Sequence, residues 1–383
     1  MKAFKNNKLF SALFTTDHHT LHPHTPTRHI LANMDTFYYK ENNLDEIDLS
    51  VYGGDFFHDL AQANDPNILV CQRWIKKHLQ ICHDKKVHVR VLEGTSSHDW
   101  GQPEMFDILK PKDSPYIKYI NTLCIEHIPD LNIHVMYVPD NFGHTSTEII
   151  YDQALKLLAE WNLTQVDFIF LHGGFDYQLP PIANKKGTLY DSVKWNALAK
   201  HAIFSGHIHK PSTKDKIICG GSFDRTAFGE MHPKGAYRFW FNQDDFHAEF
   251  WENKNALIYD KILINKEMDS KQVRAELNNY LKKNPPKNTH IRLVGGLSSV
   301  TDSLINEYKE QFPQYFFDLD NAKEDNIEID DTLYTPEMYK GVALTRNNLK
   351  DSLFNFMEST LQQNDEIDRK LLEEILSEAM GNE

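Results

Sequence analysis

The chain has little cysteine, no long apolar run, no bias toward proline or glycine, and no excess of positive charge. Its four cysteines (Cys71, Cys82, Cys124, Cys219) stand at wide intervals. They lack the close pairs of zinc ribbons and dithiol redox sites, and are expected as reduced core thiols of a cytoplasmic protein. No apolar stretch approaches the ~20 residues of a membrane-spanning helix, so no membrane partner is expected. Leu9 to Phe14 is cut off by Thr15, Thr16 and Asp17, and is too short for a secretory signal. With 41 Lys and Arg against 55 Asp and Glu the net charge is −14, which excludes a uniform basic coat for nucleic acid. A phosphate-bearing substrate would need local cations or metal ions.

What is present is the composition of a folded protein: 40% hydrophobic, 12% aromatic and 25% charged residues in 383. That length is enough for two to three domains. The unusual count is histidine, at 20.

Hydrophobic patterning predicts strands over Lys8 to Phe14, Ile47 to Tyr52 and Val87 to Leu92. Helices are predicted over Pro26 to Tyr39, with Thr25 as N-cap, and over Pro66 to His83. This βαβαβ rhythm implies an α/β fold with a largely parallel, buried sheet, whose ligands collect beyond the carboxyl ends of the strands. Further strands are predicted over Ile133 to Val138, Val166 to Leu171, Ala202 to Ser205, Lys216 to Cys219, Ala236 to Phe241 and Phe246 to Trp251. The last four are close together, which suggests antiparallel pairing.

Each of five strands is followed by acidic or imidazole residues. These are Asp17 and His19; Asp55 and His58 within Gly53-Gly54-Asp55-Phe56-Phe57-His58; His98 and Asp99 within Gly94-Thr95-Ser96-Ser97-His98-Asp99; His172; and His207 with His209. Any one alone would read as a cap, a turn or a hydrogen-bonded histidine. Together, and in order, they predict a carboxylate and imidazole cluster without cysteine, a donor set suited to Mn, Fe or Zn. The number of donors exceeds what one ion takes. A pair of ions bridged by a carboxylate suits hydrolysis of a phosphate ester.

The blocks Asp17-x-His19, Gly54-Asp55-x-x-His58, Ser97-His98-Asp99, His172 and Gly206-His207-x-His209 resemble the signature of the calcineurin-like metallophosphoesterases. The run from Gly220 to Glu230, followed by Lys234-Gly235, resembles the SbcD-type DNA repair nucleases in particular, with the similarity covering roughly residues 8 to 250. The resemblance implies a four-layer β-sandwich flanked by helices. It places one ion on Asp17, His19, Asp55 and His209, and a second on Asp55, His172, His207 and Ser97, with Asp55 bridging. His98 would assist the leaving oxygen and His58 would orient the phosphate. Ser97 stands where the family has asparagine, and a shorter hydroxyl there implies a weaker second ion. The implied cofactor is manganese, with magnesium as substitute. The implied activity is double-strand exonuclease and single-strand endonuclease cleavage of DNA, in repair or recombination, as a homodimer with an SbcC-type coiled-coil ATPase. A phosphoesterase acting on small esters and a catalytically weak DNA-positioning scaffold stay open as alternatives.

Residues 1–253 are assigned to this nuclease unit, 254–320 to a small α+β cap, 321–346 to an acidic linker, and 347–383 to an amphipathic helical hairpin for docking the ATPase. His22 and His24 are expected as loop or DNA-facing residues. Lys185, Lys186, Lys210, Lys214, Lys216, Lys287 and Arg292 are the candidates for a local basic track.

Overall fold

A parallel strand buried on both faces must be apolar on both, and the strands of this chain divide their side chains between two different cores. In the computed structural model, which describes residues 9–61, 65–140, 146–178, 189–265, 267–295 and 299–320, the fold is α/β with two six-stranded mixed sheets and a third sheet of three strands. In the first large sheet, β1 (Phe10–Thr15), β2 (Leu49–Tyr52), β3 (His88–Leu92) and β4 (Ile117–Ile120) run parallel.

The second large sheet opens with β5 (Cys124–Ile128), antiparallel to β6 (Ile133–Val138). From β6 it continues in parallel through β7 (Val166–His172) and β8 (Ala199–Gly206), and β9 (Ser212–Lys214) and β10 (Ile217–Cys219) complete it. The hairpin of β11 (Gly235–Phe241) and β12 (Phe246–Glu252) returns to the first sheet, beside β1.

Alternation along each strand fixes the layers. Ala12, Phe14, Leu49 and Val51 share one core with Val135, Tyr137, Phe168, Phe170 and Phe204, so the two sheets face each other. Leu13, Tyr52, Val89 and Val91 point the other way, onto α1 (Thr27–Thr36), α2 (Pro66–Asp84) and α3 (Met105–Leu109). On the far side Met136, Ile169, Leu171 and Ile203 pack under α4 (Thr147–Glu160) and α5 (Ser192–Asn196).

The largely parallel sheet read from the patterning is in fact two mixed sheets, because a buried strand has the same pattern whether its cover is a helix or another sheet. The expected late antiparallel pairing holds for β11 with β12, whereas β8 and β10 pair in parallel. Thr25 is not the N-cap of α1. Pro26 occupies that position without a side-chain cap, while Thr25 Oγ1 bonds Tyr259 Oη (2.8 Å) and donates to the Arg225 carbonyl (3.2 Å). The chain also contains β4, β5 and α4, which the pattern reading passed over. Of these α4 carried a signal, with Ser146 capping Ile149 N and Ile150, Ala154 and Leu158 buried at helical spacing.

Residues 254–320 contain β13 (Tyr259–Leu263), α6 (Ser270–Leu281), β14 (His290–Val294), α7 (Ser299–Gln311) and β15 (Phe316–Asp320). The three strands pair in parallel. The lobe is thus βαβαβ rather than α+β, since each helix is a crossover between parallel strands. It has a core of its own, in which Ile262, Leu277, Ile291, Ile305 and Phe317 meet. The predicted linker and helical hairpin lie outside the described residues.

All four cysteines are free, and burial pushes their thiols up, Cys71 to about 12.

Candidate metal centre

Five strands, three from the first sheet and two from the second, deliver the predicted ligands other than Ser97 to one place. The first sheet contributes Asp17 and His19 after β1, Asp55 and His58 after β2, and Gly94, Thr95 and His98 after β3. The second contributes His172 at the end of β7, and His207 and His209 after β8. The loops after β1 and β2 run side by side: Asp17 N donates to the Gly54 carbonyl (3.1 Å), His19 N to the Asp55 carbonyl (3.1 Å) and Thr20 N to the Phe56 carbonyl (2.8 Å). Asp17, His19 and Asp55 sit at φ of 51°, 49° and 51°, a left-handed conformation that costs energy outside glycine and is held here by those bonds. Gly94 allows the third loop to close in, since a Cβ there would stand 2.1 Å from Asp55 N.

Two groups of converging donors result. In each, Asp17 with His19 and His209, and Asp55 with His172 and His207, one donor atom per residue lies within 4.8 Å of the others. A third group, His19 with His58 and His98, shares His19 with the first.

In the first group His209 Nδ1 lies 2.6 Å from Glu230 Oε1. Burial opposes ionisation of Glu230, but its bond to His209 and the charge of Lys234 outweigh this and hold it near 2. An ionised carboxylate only accepts, so Nδ1 bears the proton, and Nε2 is turned to His19 Nε2 (2.9 Å) and Asp17 Oδ1 (3.9 Å). In the second group His172 Nδ1 donates to the Gly53 carbonyl (2.6 Å), which turns Nε2 to Asp55 Oδ2 (3.3 Å). Burial works against charge on both partners. The attraction between them prevails, and holds Asp55 below the usual carboxylate range and His172 up at about 10. Asp17, wholly buried, is pushed up by desolvation.

This nitrogen and oxygen set, oriented from behind by Glu230 and Gly53, fits divalent ions of the Mn, Fe or Zn type. Protons occupy the lone pairs that an ion needs, so binding should release protons and weaken in acid.

Ser97 is not beside the second group. It is exposed, and its carbonyl accepts from Trp100 Nε1 (2.9 Å). Thr95 takes that place, its Oγ1 lying 3.2 Å from Asp55 Oδ2, 3.3 Å from His172 Nε2 and 3.3 Å from His207 Nδ1. The hydroxyl that meets Asp55 is thus two residues before Ser97, and Gly94-Thr95 close behind β3 was the available signal. Thr95→Val, which keeps the main-chain bond from Thr95 N to Asp55 Oδ1 (2.6 Å), is expected to weaken the second of two Mn-binding steps about tenfold to a hundredfold in calorimetric titration. Ser97→Ala should leave both steps unchanged, and the opposite outcome would return the role to Ser97.

His98 donates from Nδ1 to the His58 carbonyl, which leaves Nε2 as the ring nitrogen for any further bond. His58 Nδ1 is 3.3 Å from His19 Nδ1, and its ring packs on His22 (4.2 Å between centroids). His22 is thus a loop residue that buttresses His58, its own Nδ1 accepting from His24 N and Thr25 N (3.1 and 3.0 Å). Two residues given no role from sequence hold the site together. Glu230 orients His209, and buried Asp99 accepts from Gly94 N (2.7 Å), Asp55 N (2.9 Å) and Phe57 N (2.9 Å), tying two ligand loops.

The basic track is only partly available. Lys216 Nζ donates to the Ala199 carbonyl (2.6 Å) and Lys214 Nζ to Ser192 Oγ (3.2 Å), both at the edge of the second sheet. Lys185 and Lys186 lie outside the described residues.

No family model matches the chain, and no curated protein does. A solved structure is similar over 63% of this chain and 99% of its own length, at 11% identity and a TM-score of 0.35, a likeness too distant to carry fold or function across.

Proposed function

We propose that this chain is a two-metal phosphodiesterase acting on DNA, built on the metallophosphoesterase sandwich and using manganese, with magnesium as substitute. The observation that carries the reading is the meeting of the Asp17, His19, His209 group with the Asp55, His172, His207 and Thr95 group at the carboxyl ends of strands from both sheets. A pair of divalent ions supplies a nucleophilic oxygen at neutral pH and neutralises charge on the attacked phosphate.

The protein's own part is positioning and proton transfer. Asp55, paired with His172 and under the electrostatic influence of His19, is the residue that would hold both ions. His98, with Nδ1 committed to the His58 carbonyl, presents Nε2 to protonate the leaving oxygen. His58, buttressed by His22, orients the phosphate. In this reading residues 254–320 cap the site and help hold the duplex, 347–383 dock an SbcC-type ATPase, and the chain works as a cytoplasmic homodimer in DNA end processing.

The test is to incubate linear duplex and single-stranded DNA with the full chain in Mn, in Mg and in EDTA. Shortening of the duplex from its ends and internal cuts in single strands, strongest in Mn and absent in EDTA, are expected. Metal-dependent hydrolysis confined to small phosphate esters, or no hydrolysis at all, would overturn the proposal.

A further inference from the structure

Each strand of the cap sheet has one face on α6 and α7, and the opposite face carries a different kind of surface. Its first cross-strand row is Tyr259, His290 and Phe316, in register across β13, β14 and β15. The three rings stand parallel. Tyr259 and His290 are 4.3 Å apart between centroids with 4° between planes, and His290 and Phe316 are 4.5 Å apart with 15°.

The Tyr259 end of this stack is buried, and Phe228 lies against its side, edge-on to Tyr259 at 4.9 Å and to His290 at 6.3 Å. The other end is Phe316 on the edge strand β15, 39% exposed, with no further strand beside it among the described residues. The next row in register holds Lys261, Arg292 and Asp318, and Leu263 in the row after it is 75% exposed.

The stack is joined to the metal centre at two points. Thr25 Oγ1 bonds Tyr259 Oη (2.8 Å) and the backbone of His24 is hydrogen-bonded to His290, while His22 of the same loop packs on His58. Phe228 lies in the loop that ends in Glu230, the partner of His209. A strand leaving the metal centre past His58 and His22 would therefore meet the ring row of the cap.

We propose that the outer face of Phe316 is a stacking subsite for an unpaired nucleobase, so that the cap receives a single-stranded DNA end as the fourth ring of the row. A base is a flat ring with two π-faces and needs no hydrogen-bond partner to stack, which fits an aromatic row better than a site lined by polar groups. Burial pushes His290 down to about 4, so at neutral pH it stacks as a neutral ring and adds no cation of its own. The occupant is an unpaired base because the paired bases of a duplex are already stacked on both faces.

This inference rests on the nuclease reading for its substrate, and its test separates the two. Oligonucleotides carrying 2-aminopurine in a single-stranded overhang are titrated with the full chain in EDTA, where stacking quenches fluorescence and no cleavage occurs. Quenching by wild type is expected, with little when the 2-aminopurine is paired within a blunt duplex. Phe316→Ala should lose most of the quenching and weaken overhang binding about tenfold, Phe316→Trp should restore both, and thermal midpoints report whether each variant is folded. Equal quenching by wild type and a folded Phe316→Ala, or none by wild type, would overturn the subsite. Cleavage in Mn with no effect of Phe316→Ala would leave the nuclease reading standing, whereas quenching without cleavage in Mn would sink that reading and leave the subsite.

Discussion

Asp55→Asn is expected to lower Mn-dependent DNA hydrolysis by about a thousandfold or more, equivalent to the several kcal/mol that a charge clamp supplies at an attacked phosphate. Asparagine keeps the size of the side chain and can still accept from Thr95 N, so the loops after β2 and β3 should stay in place. What it loses is the negative charge that faces His172 and that electrostatically favours charge on His19. Bound manganese, counted by elemental analysis after gel filtration, should fall from two per chain to one or none. His98→Ala should behave differently. It removes the proposed proton donor, whose ring packs edge-on to His19, but takes away no member of the two ligand groups, and should cost about a hundredfold to ten-thousandfold in kcat while both ions are retained. If Asp55→Asn kept two ions and near-normal turnover, Asp55 would be no bridge. If His98→Ala lost its metal, His98 would be a ligand rather than an acid.

The second large effect concerns the joint between the sheets. Arg90 of β3 makes a bidentate pair with Glu126 of β5, Nε to Oε2 at 2.7 Å and Nη2 to Oε1 at 3.0 Å. It also donates through Nη1 to the carbonyls of Val89 and Tyr116 (2.9 and 2.7 Å). From β6, Tyr137 Oη donates to Glu126 Oε2 (3.1 Å). Arg90 is only 3% exposed, so truncating one partner leaves the other charged in the interior. Glu126→Ala should destabilise the unit by roughly 3–5 kcal/mol in denaturant titration, whereas replacing both residues by apolar ones of similar volume should cost little.

The pair also sets a pH dependence. Burial opposes charge on Glu126, but Arg90 outweighs it and holds the carboxyl below its ordinary 4.5. The stabilisation is therefore complete above about 4.5, the unfolded value, and is lost as pH falls through the lower folded value. The acid limb of unfolding should flatten in the doubly apolar variant, and an unchanged limb would show that other carboxylates control it.

Much of the site was visible in the chain because its pieces are local. An apolar run followed by Asp or His, after a glycine in Gly54-Asp55 and Gly206-His207, marks both the end of a strand and the side chain it delivers, and this was enough to select Asp17, His19, Asp55, His172, His207 and His209 for two groups that do converge. The same reading misplaced the neutral donor. Gly94-Thr95-Ser96-Ser97-His98 offers three hydroxyls in succession, and the linear order gives no reason to prefer one. Glu230 was in a run that drew notice, but its partner His209 is 21 positions earlier. Asp99 was visible as the neighbour of His98, not as the acceptor that ties Asp55 to Gly94.

Sequence alone determined the strands that carry the site, which residues follow them and that those residues are metal-ligand types, because each is a property of a few adjacent positions. Only the tertiary structure decided which strands share which sheet, that Thr95 and not Ser97 meets Asp55, and that Arg90 is neutralised by Glu126 across the sheets. These depend on which distant segments share the low-dielectric interior, where an unpaired charge or an unfilled lone pair is costly, and chain order does not state who the neighbour will be.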